Sequence, residues 1–281
     1  MIVTLWGTRG SVPSPGPETV RYGGNTACVQ VALADGTQLV LDAGTGIRRL
    51  GRHLLDVGGQ PPIVLLITHA HWDHVHGFPF FRPANCPHWP ITVAGWSHSI
   101  QAIRDLMHLQ MNGQNYPLEF AKLRADIGFL DLGLRTTRIR SAELRIGSCC
   151  HPGGCAAYRI AADGAAVLHV TDNELRPADA ECDRSRNELL ELARGVDLMI
   201  HDAQFLPEEL SAHRGWGHSS YEGAIDLAAE AQVGRLVLFH HDPDRSDDEV
   251  DAIELRAREY ITKRGYRLEC DAGAEGMRLQ L

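Results

Sequence analysis

The sequence predicts an α/β protein, and three observations support this fold class. Segments typical of strands alternate with segments typical of helices, without a linker, a charge block or a visible internal repeat. Two Asp-Gly pairs between apolar runs indicate hairpins, and capped amphipathic segments indicate helices. The 281 residues can bury a large core, so we expect one domain spanning residues 1–281.

Two β-hairpins are predicted, each from an aspartate that is followed by a glycine. The turns and their flanking runs are Asp35-Gly36 between Val29–Ala34 and Thr37–Leu41, and Asp163-Gly164 between Ala157–Ala162 and Ala165–Val170. Aspartate followed by glycine is a strong hairpin signal because both turn positions need positive φ. A histidine precedes the second hairpin and an aspartate follows it, so one rigid turn would fix both polar side chains.

Two helices are predicted by capping boxes, in which a serine and a glutamate three residues later satisfy the first backbone N–H groups. Ser219 pairs with Glu222, and Ser246 pairs with Glu249. Apolar residues follow at helical spacing, and a glycine at position 234 or 265 ends each segment.

Two further helices are predicted by apolar stripes, one over residues 47–55 and one that includes Ile100, Ile103 and Leu106. The first has a basic opposite face, formed by Arg48, Arg49, Arg52 and His53. A solvated face is the simplest interpretation of these charges, and phosphate recognition is the alternative.

Composition is that of a soluble globular protein, with 44% hydrophobic and 22% charged residues. The formal net charge of −9 argues against broad electrostatic affinity for nucleic acid or an anionic membrane. The start of the chain lacks the basic region and long apolar core of a signal peptide, and no run is long enough to span a membrane. We expect a cytoplasmic protein without a membrane partner.

Seven cysteines occur without a C-x-x-C pair, which predicts neither a disulfide framework nor a zinc ribbon. Reduced thiols are expected. Cys149, Cys150 and Cys155 flank His151, where small buried residues are favoured over a thiolate ligand.

The segment Thr68–His74 places three imidazoles and a carboxylate directly after the apolar run Ile63–Ile67. On an extended backbone alternate side chains share a face, so His69 and His71 would point the same way, with Asp73 and His74 around the turn. Imidazole nitrogen and carboxylate oxygen are ligands of zinc and its first-row neighbours. Four such donors exceed what one open catalytic ion needs, which favours two metals.

His-x-His-x-Asp-His after an apolar strand resembles the signature of the metallo-β-lactamase superfamily. In that family the other ligands are a histidine after a later strand, a bridging aspartate and a histidine near the end of the chain. His151 in Cys-His-Pro-Gly-Gly, Asp172 in Val-Thr-Asp-Asn and His240 after Leu236–Phe239 match these places. His241 is a rival for the last place, and His240 is preferred because it follows the strand directly.

The resemblance implies a ligand set, a fold and a type of reaction. One metal would be held by His69, His71 and His151, the other by Asp73, His74 and His240, with Asp172 between them. The fold would be an αββα sandwich of two mixed β-sheets with helices on both outer faces. Relatives that reduce oxygen carry Glu at the second position of the cluster, so His71 favours hydrolysis.

Two later segments, Asp197–Ala203 and Gly215–Ser220, resemble the phosphodiesterase branch of the superfamily. An alkoxide leaving a phosphodiester needs a proton, and a histidine oriented by a carboxylate is a suitable general acid near neutral pH. The resemblance makes His218 that acid and Asp202 its partner, where tRNA-processing relatives have the longer Glu. The alternative is that His218 only starts a helix.

The implied mechanism is hydrolysis by a hydroxide held between two divalent ions, with Asp73 both a ligand and a candidate to orient the water. Zinc is the first expectation, with manganese or iron as alternatives.

The opening loop, Trp6–Pro13 with Arg21–Thr26, resembles that of bacterial cyclic-phosphate phosphodiesterases and would line the mouth of the site or only cap the sandwich. Gln110 to Tyr116 is a candidate lid.

The expected substrate is a small cyclic or linear phosphodiester. Only a compact hairpin lies between His151 and Asp172, where tRNA-processing relatives often carry an RNA-gripping arm, and with the negative charge this makes nucleic acid an unexpected partner. A lactone or thioester hydrolase, a tRNA 3′-processing-like endonuclease and a non-catalytic metal sensor are the alternatives. A homodimer, with Trp89, Trp96 or the lid at its surface, is compatible with the resemblance.

Overall fold

The computed structural model describes residues 1–133, 136–175 and 179–281, and its strands form two seven-stranded sheets. The strands of the first sheet are β1 (Ile2–Gly7), β2 (Cys28–Ala32), β3 (Gln38–Leu41), β4 (Ile63–Ile67), β5 (Pro90–Gly95), β6 (Asp126–Asp131) and β14 (Arg278–Gln280). The strands of the second sheet are β7 (Thr137–Ile139), β8 (Ala142–Cys149), β9 (Cys155–Ala162), β10 (Ala165–Val170), β11 (Leu198–Asp202), β12 (Arg235–Phe239) and β13 (Glu269–Ala272).

Both sheets are mixed and have the same pattern of directions. In the order β14-β1-β2-β3-β4-β5-β6, the first three pairs are antiparallel and the last three are parallel. The order β7-β8-β9-β10-β11-β12-β13 repeats that pattern. Each sheet therefore presents a group of parallel strands whose carboxyl ends lie at one edge, where α/β proteins place ligand sites.

Helices cover the outer face of each sheet. They are α1 (Ile47–Val57), α2 (Trp72–Val75), α3 (Ile100–Gln110), α4 (Ala180–Ala193), α5 (Tyr221–Glu230) and α6 (Asp247–Arg264). Residues of α1 and α3 pack on the first sheet, and residues of α4, α5 and α6 pack on the second. A third apolar cluster lies between the sheets. The predicted αββα sandwich is confirmed.

Alternation along the strands explains these layers. In β4, Val64 and Leu66 belong to the layer between the sheets, whereas Ile63, Leu65 and Ile67 face the helices. Successive side chains of a strand point to opposite faces, so a strand that is covered on both sides is apolar throughout. This is why Ile-Val-Leu-Leu-Ile has no polar residue until the strand ends at the histidine cluster.

Both predicted hairpins form. Asp35-Gly36 joins β2 to β3, and Asp163-Gly164 joins β9 to β10. Asp163 and Gly164 have φ of 54° and 83°, as a two-residue hairpin turn requires. The second turn is tight, so His151 before β9 and Asp172 after β10 return to the same edge of the sheet.

The capping box at Ser246 and Glu249 is confirmed at the start of α6. The one predicted at Ser219 is wrong by one residue, because Ser220 is the N-cap of α5 and accepts a hydrogen bond from the Gly223 N–H. The Ser219 hydroxyl instead donates to the Asn173 carbonyl at 2.6 Å. Ser219 is thus used to hold the loop before the helix.

Two other expectations from the sequence are corrected. A disulfide joins Cys150 to Cys182, with a Cα–Cα distance of 5.0 Å, so not all thiols are reduced. This bond links the His151 loop to α4. The two cysteines are separated by 31 residues, so their spacing in the sequence did not indicate the pairing.

Trp89 is 1% exposed and its indole donates to the Pro61 carbonyl, so it packs in the core and cannot form a surface for a dimer. Among the described residues, no helix has the length and apolar character needed to cross a membrane.

Replacing Ser246 by alanine removes the hydroxyl that caps the Glu249 N–H at the start of α6. We expect a loss of about 1 kcal/mol in the free energy of unfolding, measured by urea denaturation. The control is Ser211→Ala, at an exposed serine in a turn. An equal effect of both substitutions would contradict the capping role.

Candidate metal centre

Seven side chains of the predicted ligand set meet at the edge where the parallel strands of both sheets end. His69, His71, Asp73 and His74 follow β4, and the last two lie in the short helix α2. The others follow strands of the second sheet: His151 after β8, Asp172 after β10 and His240 after β12. The centre is therefore built from both sheets and depends on their packing.

The first group consists of His69, His71, His151 and Asp172, whose potential ligand atoms lie within 4.8 Å of one another. The His151 Nε2 atom is 3.0 Å from His71 Nδ1 and 3.7 Å from Asp172 Oδ2. The Asp172 Oδ2 atom is also 3.5 Å from His69 Nε2. Three imidazoles and one carboxylate oxygen thus converge on one point.

The second group consists of Asp73, His74, Asp172 and His240. The Nε2 atoms of His74 and His240 lie 3.1 and 3.2 Å from Asp172 Oδ1, and each is 3.2 Å from Asp73 Oδ2. Asp172 therefore directs Oδ2 to the first group and Oδ1 to the second. His241 turns away, with Nε2 donating to the Gly273 carbonyl, so the geometry favours His240 over its rival.

The donor set fits divalent metal ions. His69 Nε2 and His74 Nε2 are buried, and neither makes a hydrogen bond among the described residues, although both face carboxylate oxygens. A buried nitrogen without a partner is unfavourable unless something else binds it. Two carboxylates and five imidazoles in a buried space are a first-row metal donor set, and cations would offset the charge of the carboxylates.

The second nitrogen of most of these histidines is held by a fixed acceptor. His74 Nδ1 donates to Asp42 Oδ2 at 2.8 Å, and His240 Nδ1 donates to Gln204 Oε1 at 3.0 Å. His151 Nδ1 donates to the Gly217 carbonyl at 3.1 Å. Such contacts fix the tautomer, so that Nε2 carries the lone pair that faces the centre.

Asp42 is a functional residue that the sequence reasoning missed. Its carboxylate is fully buried and also accepts hydrogen bonds from the Thr68 hydroxyl and backbone N–H. Burial disfavours the charged form, but His74 and His169 outweigh it and lower the pKa of Asp42 to about 2. The sequence contained one signal for this residue: Asp42 directly follows the apolar strand β3, just as the histidine cluster follows β4.

Backbone strain accompanies this arrangement. Asp42 and His240, which carry buried polar side chains of the centre, have φ of 62° and 60°. Few residues other than glycine adopt this left-handed region, and the surrounding structure must hold them there. The strain directs both side chains inward at the ends of β3 and β12.

His218 and Asp202 lie beside the two groups. His218 Nδ1 donates to Asp202 Oδ2 at 2.9 Å, so the shorter aspartate still reaches the imidazole. The His218 ring lies 5.0 Å from the His240 ring and 5.6 Å from the His151 ring, measured between centroids. Burial disfavours protonation of His218, but the Asp202 charge outweighs it and raises the pKa of His218 to about 9.

The loop that carries His218 is anchored to the segment after β10. Glu174 accepts hydrogen bonds from the N–H groups of Gly215 and Gly217 at 2.9 and 3.1 Å. Gly217 has φ of 85°, and a Cβ there would lie 1.9 Å from His151 Nδ1, so only glycine fits. Glu174 was also missed, because its partners are backbone groups that no side-chain pattern reveals.

The opening loop lines the centre. The Ser11 N–H donates to Asp73 Oδ2 at 2.8 Å, and the backbone of Gly10 packs against the His240 ring. Of the two interpretations of this loop, contact with the site is the one the structure supports. The candidate lid, Gln110 to Tyr116, lies beside Trp72 and Phe80, and its role stays a prediction.

A family model described as the beta-lactamase superfamily domain matches residues 37–241. The chain belongs to the metallo-β-lactamase superfamily. The predicted superfamily is thereby confirmed, and its phosphodiesterase branch is represented among the relatives. Ribonuclease Z of Lacticaseibacillus casei (strain BL23) is 26% identical over 239 residues, which cover 72% of this chain and 74% of the relative.

Solved structures of the superfamily share the fold. The protein YhfI from Bacillus subtilis, a metallo-beta-lactamase fold protein, has a TM-score of 0.71 at 16% identity, covering 99% of this chain and 98% of that one. Human tRNase Z, short form, has a TM-score of 0.70 at 17% identity, covering 100% and 99%. Several relatives are named as ribonucleases. This counts against the prediction that nucleic acid is an unexpected partner of this protein.

A Gly10→Ala substitution tests how the opening loop supports the centre. The added Cβ would lie 2.4 Å from His240 Nδ1 and 2.9 Å from Gln204 Oε1, so it must displace the imidazole. Because contacts behind ligands affect metal affinity about 10- to 100-fold, we expect weaker Zn²⁺ binding of that order in competition with a chromophoric chelator. Gly16→Ala, where a Cβ meets nothing within 4 Å, is the control. Unchanged affinity in the Gly10 variant would contradict the packing.

Proposed function

We propose that the protein is a dinuclear metal-dependent phosphodiesterase that hydrolyses a small cyclic or linear phosphodiester. One observation carries the proposal: His218, held by Asp202 at 2.9 Å, faces the same space as the two metal-binding groups. A hydrolase of lactones or thioesters would use the metal groups but has less need of a separate acid. A phosphodiester with a poor leaving group needs both.

We assign the two ions to the two groups of side chains. His69, His71 and His151 would hold one ion, and Asp73, His74 and His240 would hold the other, with Asp172 between them. When bound, the ions would supply a hydroxide at neutral pH and offset negative charge on the phosphoryl oxygens. Zinc is our first assignment, with manganese or iron as alternatives, because these donors bind all three.

The remaining steps belong to side chains of this chain. The Asp73 carboxylate, fixed by the Ser11 N–H, orients the attacking water. On the other side, His218 presents Nε2 to the leaving oxygen while Nδ1 stays bonded to Asp202. The protonated imidazole gives its proton to the departing alkoxide, and Asp202 stabilises the imidazolium before transfer. The negative charge of Asp202 favours the protonated imidazole, which is the form that an acid needs.

The space beside the centre suits a small substrate. A cavity of about 610 Å³ adjoins His151 and is bounded by Trp96, His98, Gly153 and Arg184. Its volume is within the range of small-molecule sites. The lining includes one guanidinium group, Arg184, which could contact a phosphoryl oxygen, and two carboxylates, Glu174 and Glu181. Trp96 and His98 provide ring surface for the ester group.

An RNA 3′-end is the second candidate substrate. The relatives named Ribonuclease Z and Ribonuclease BN favour it, since they match 72% and 63% of this chain. Against it stands the short hairpin between His151 and Asp172, which leaves no projecting arm between these residues. Turnover of a short RNA with a 3′ extension, compared with turnover of cyclic nucleotides, distinguishes the two candidates.

The ligand assignment predicts two divalent ions per chain in the zinc-loaded protein, measured by inductively coupled plasma mass spectrometry. Asp172→Ala should lose more than one ion, because Asp172 faces both groups, and hydrolysis of bis(p-nitrophenyl) phosphate should fall with the metal content. The matched control is His53→Ala, at an exposed histidine of α1. Two ions retained in the Asp172 variant would rule out its bridging position.

The acid assignment predicts a leaving-group effect. His218→Ala should lower kcat by about 100-fold or more for alkyl esters, whose leaving oxygen needs a proton, and much less for p-nitrophenyl esters. Asp202→Asn should have the same pattern with a smaller loss, and both variants should keep their metal. Equal losses on both classes of ester, or no loss on either, would exclude His218 as the acid.

A further inference from the structure

A second cleft lies on the outer face of the first sheet, apart from the cavity beside His151. Its volume is about 560 Å³, and it is lined by Arg48, Arg52, Arg82 and Asn85 together with Pro79, Phe80 and Tyr116. None of these side chains belongs to the metal groups or to the pair of His218 and Asp202. The cleft is therefore distinct from the side chains to which the chemistry proposed above is assigned.

Packing of α1 brings the three arginines together. Arg48 and Arg52 are four residues apart on α1 and share a face. Gly51, between them, lets α1 approach the segment that carries Arg82, since a Cβ at Gly51 would lie 3.0 Å from the Phe81 ring. A glycine inside a helix costs about 1 kcal/mol relative to alanine, so the close approach compensates for a poor helix former.

These arginines are unpaired. Within residues 1–133, 136–175 and 179–281, none of Arg48, Arg52 and Arg82 makes an ion pair, whereas Arg21, Arg49 and Arg245 each bind a carboxylate. The chain as a whole has a formal charge of −9. All three arginines are exposed and line one cleft, so an anion bound there could contact guanidinium groups from two segments of the chain.

Aromatic side chains form the other wall of the cleft. Phe80 is 54% exposed and meets Tyr116 edge to face, with ring centroids 5.5 Å apart. Beyond them an apolar slot of about 250 Å³ is lined by Trp72, which is 65% exposed, and by Gln110. The buried Gln110 Nε2 has no hydrogen-bond partner among the described residues. Exposed rings next to unpaired guanidinium groups combine the two contacts that single-stranded nucleic acid makes.

We propose that this cleft and slot bind single-stranded oligonucleotide, with phosphates on Arg48, Arg52 and Arg82 and bases on Phe80, Tyr116 and Trp72. The Gln110 amide donates to a base carbonyl or ring nitrogen. Binding here is independent of any reaction at the metal centre, so the proposed hydrolase activity and this site stand or fall separately.

The test measures binding of a fluorescein-labelled U8 oligonucleotide to the full chain by fluorescence anisotropy across a range of salt concentrations. Replacing Arg48, Arg52 and Arg82 by alanine together should weaken binding at least tenfold. It should also reduce the slope of log K against log salt by about 2, given about 0.7 per phosphate contact on a single strand. The control replaces Arg138, Arg267 and Arg278, three exposed arginines elsewhere that carry the same total charge.

The aromatic wall has its own test. Phe80→Ala should weaken binding of U8 by about 5- to 100-fold, through a lost stacking contact, without changing the salt slope. The triple arginine variant and Phe80→Ala should both keep their metal content and their hydrolysis of bis(p-nitrophenyl) phosphate. This control would show that both variants are folded.

Four results would overturn the proposal. Equal losses of U8 affinity in the two triple variants would mean that the overall charge of the protein, and not this cleft, determines binding. A duplex of the same length that binds as tightly as U8 would contradict stacking of unpaired bases. ADP binding as tightly as U8 would assign the cleft to a free nucleotide. A dimer in sedimentation that Phe80→Ala dissociates, without U8 binding, would make this face a contact between two copies of the chain.

Discussion

The buried carboxylate of Asp172 is the constraint around which the centre is arranged. It lies between two groups of imidazoles, 3.1 Å from His74 Nε2 through one oxygen and 3.5 Å from His69 Nε2 through the other. Asp73 is also buried here, so two negative charges share a space from which water is largely removed. A buried charge is strongly unfavourable unless it is paired. Burial opposes the charged forms of both groups, but the surrounding imidazoles lower the pKa of Asp172, and Asp73 and Asp172 raise the pKa of His74. Positive charge is therefore stabilised at this edge of the sheets.

The two sheets place their polar residues by the same rule. A run of parallel strands in each sheet is covered on both faces and has to be apolar, so polar side chains can appear only where a strand ends. Asp42 and His69 follow adjacent strands of the first sheet, and Asp172, Asp202 and His240 lie at the ends of adjacent strands of the second. Packing the sheets face to face brings these ends together. The centre is a consequence of the same packing that makes the core.

Much of this could be predicted from the sequence, because the signals were local. The period of two along an extended chain placed His69 and His71 on one face, and Asp163-Gly164 returned His151 and Asp172 to one edge. Contacts between distant segments could not be predicted in this way. Asp42 accepts a hydrogen bond from His74, which is 32 residues away in the chain. Glu174 accepts hydrogen bonds from backbone N–H groups that are 41 and 43 residues away. The helix α4 was also missed, since its N-cap Asp179 is not followed by a strong apolar stripe.

The same distinction explains why a cap was misplaced by one residue. Ser219 and Ser220 both precede a helical pattern. The capping-box spacing fits Ser219, which has Glu222 three residues later, whereas Ser220 has Gly223 at that place. The Ser219 hydroxyl is instead held by the Asn173 carbonyl and accepts the Leu175 N–H, so the cap falls to Ser220. A long-range contact therefore overrode the local capping signal at Ser219, and sequence spacing does not reveal such a contact.

The segment after β10 connects the two sides of the proposed reaction. Asp172 faces both metal-binding groups, the Asn173 N–H donates to Asp202 Oδ2 at 3.2 Å, and Glu174 anchors the loop before His218. Three successive residues thus fix the metal groups, the partner of the acid and the loop of the acid. Their spacing along one backbone is set by covalent geometry, so the metal-binding groups and the pair of His218 and Asp202 cannot move far apart without distorting the strand end. A shorter aspartate at position 202 is compatible with the relay because the backbone of Asn173 and the loop before His218 bring the imidazole to it.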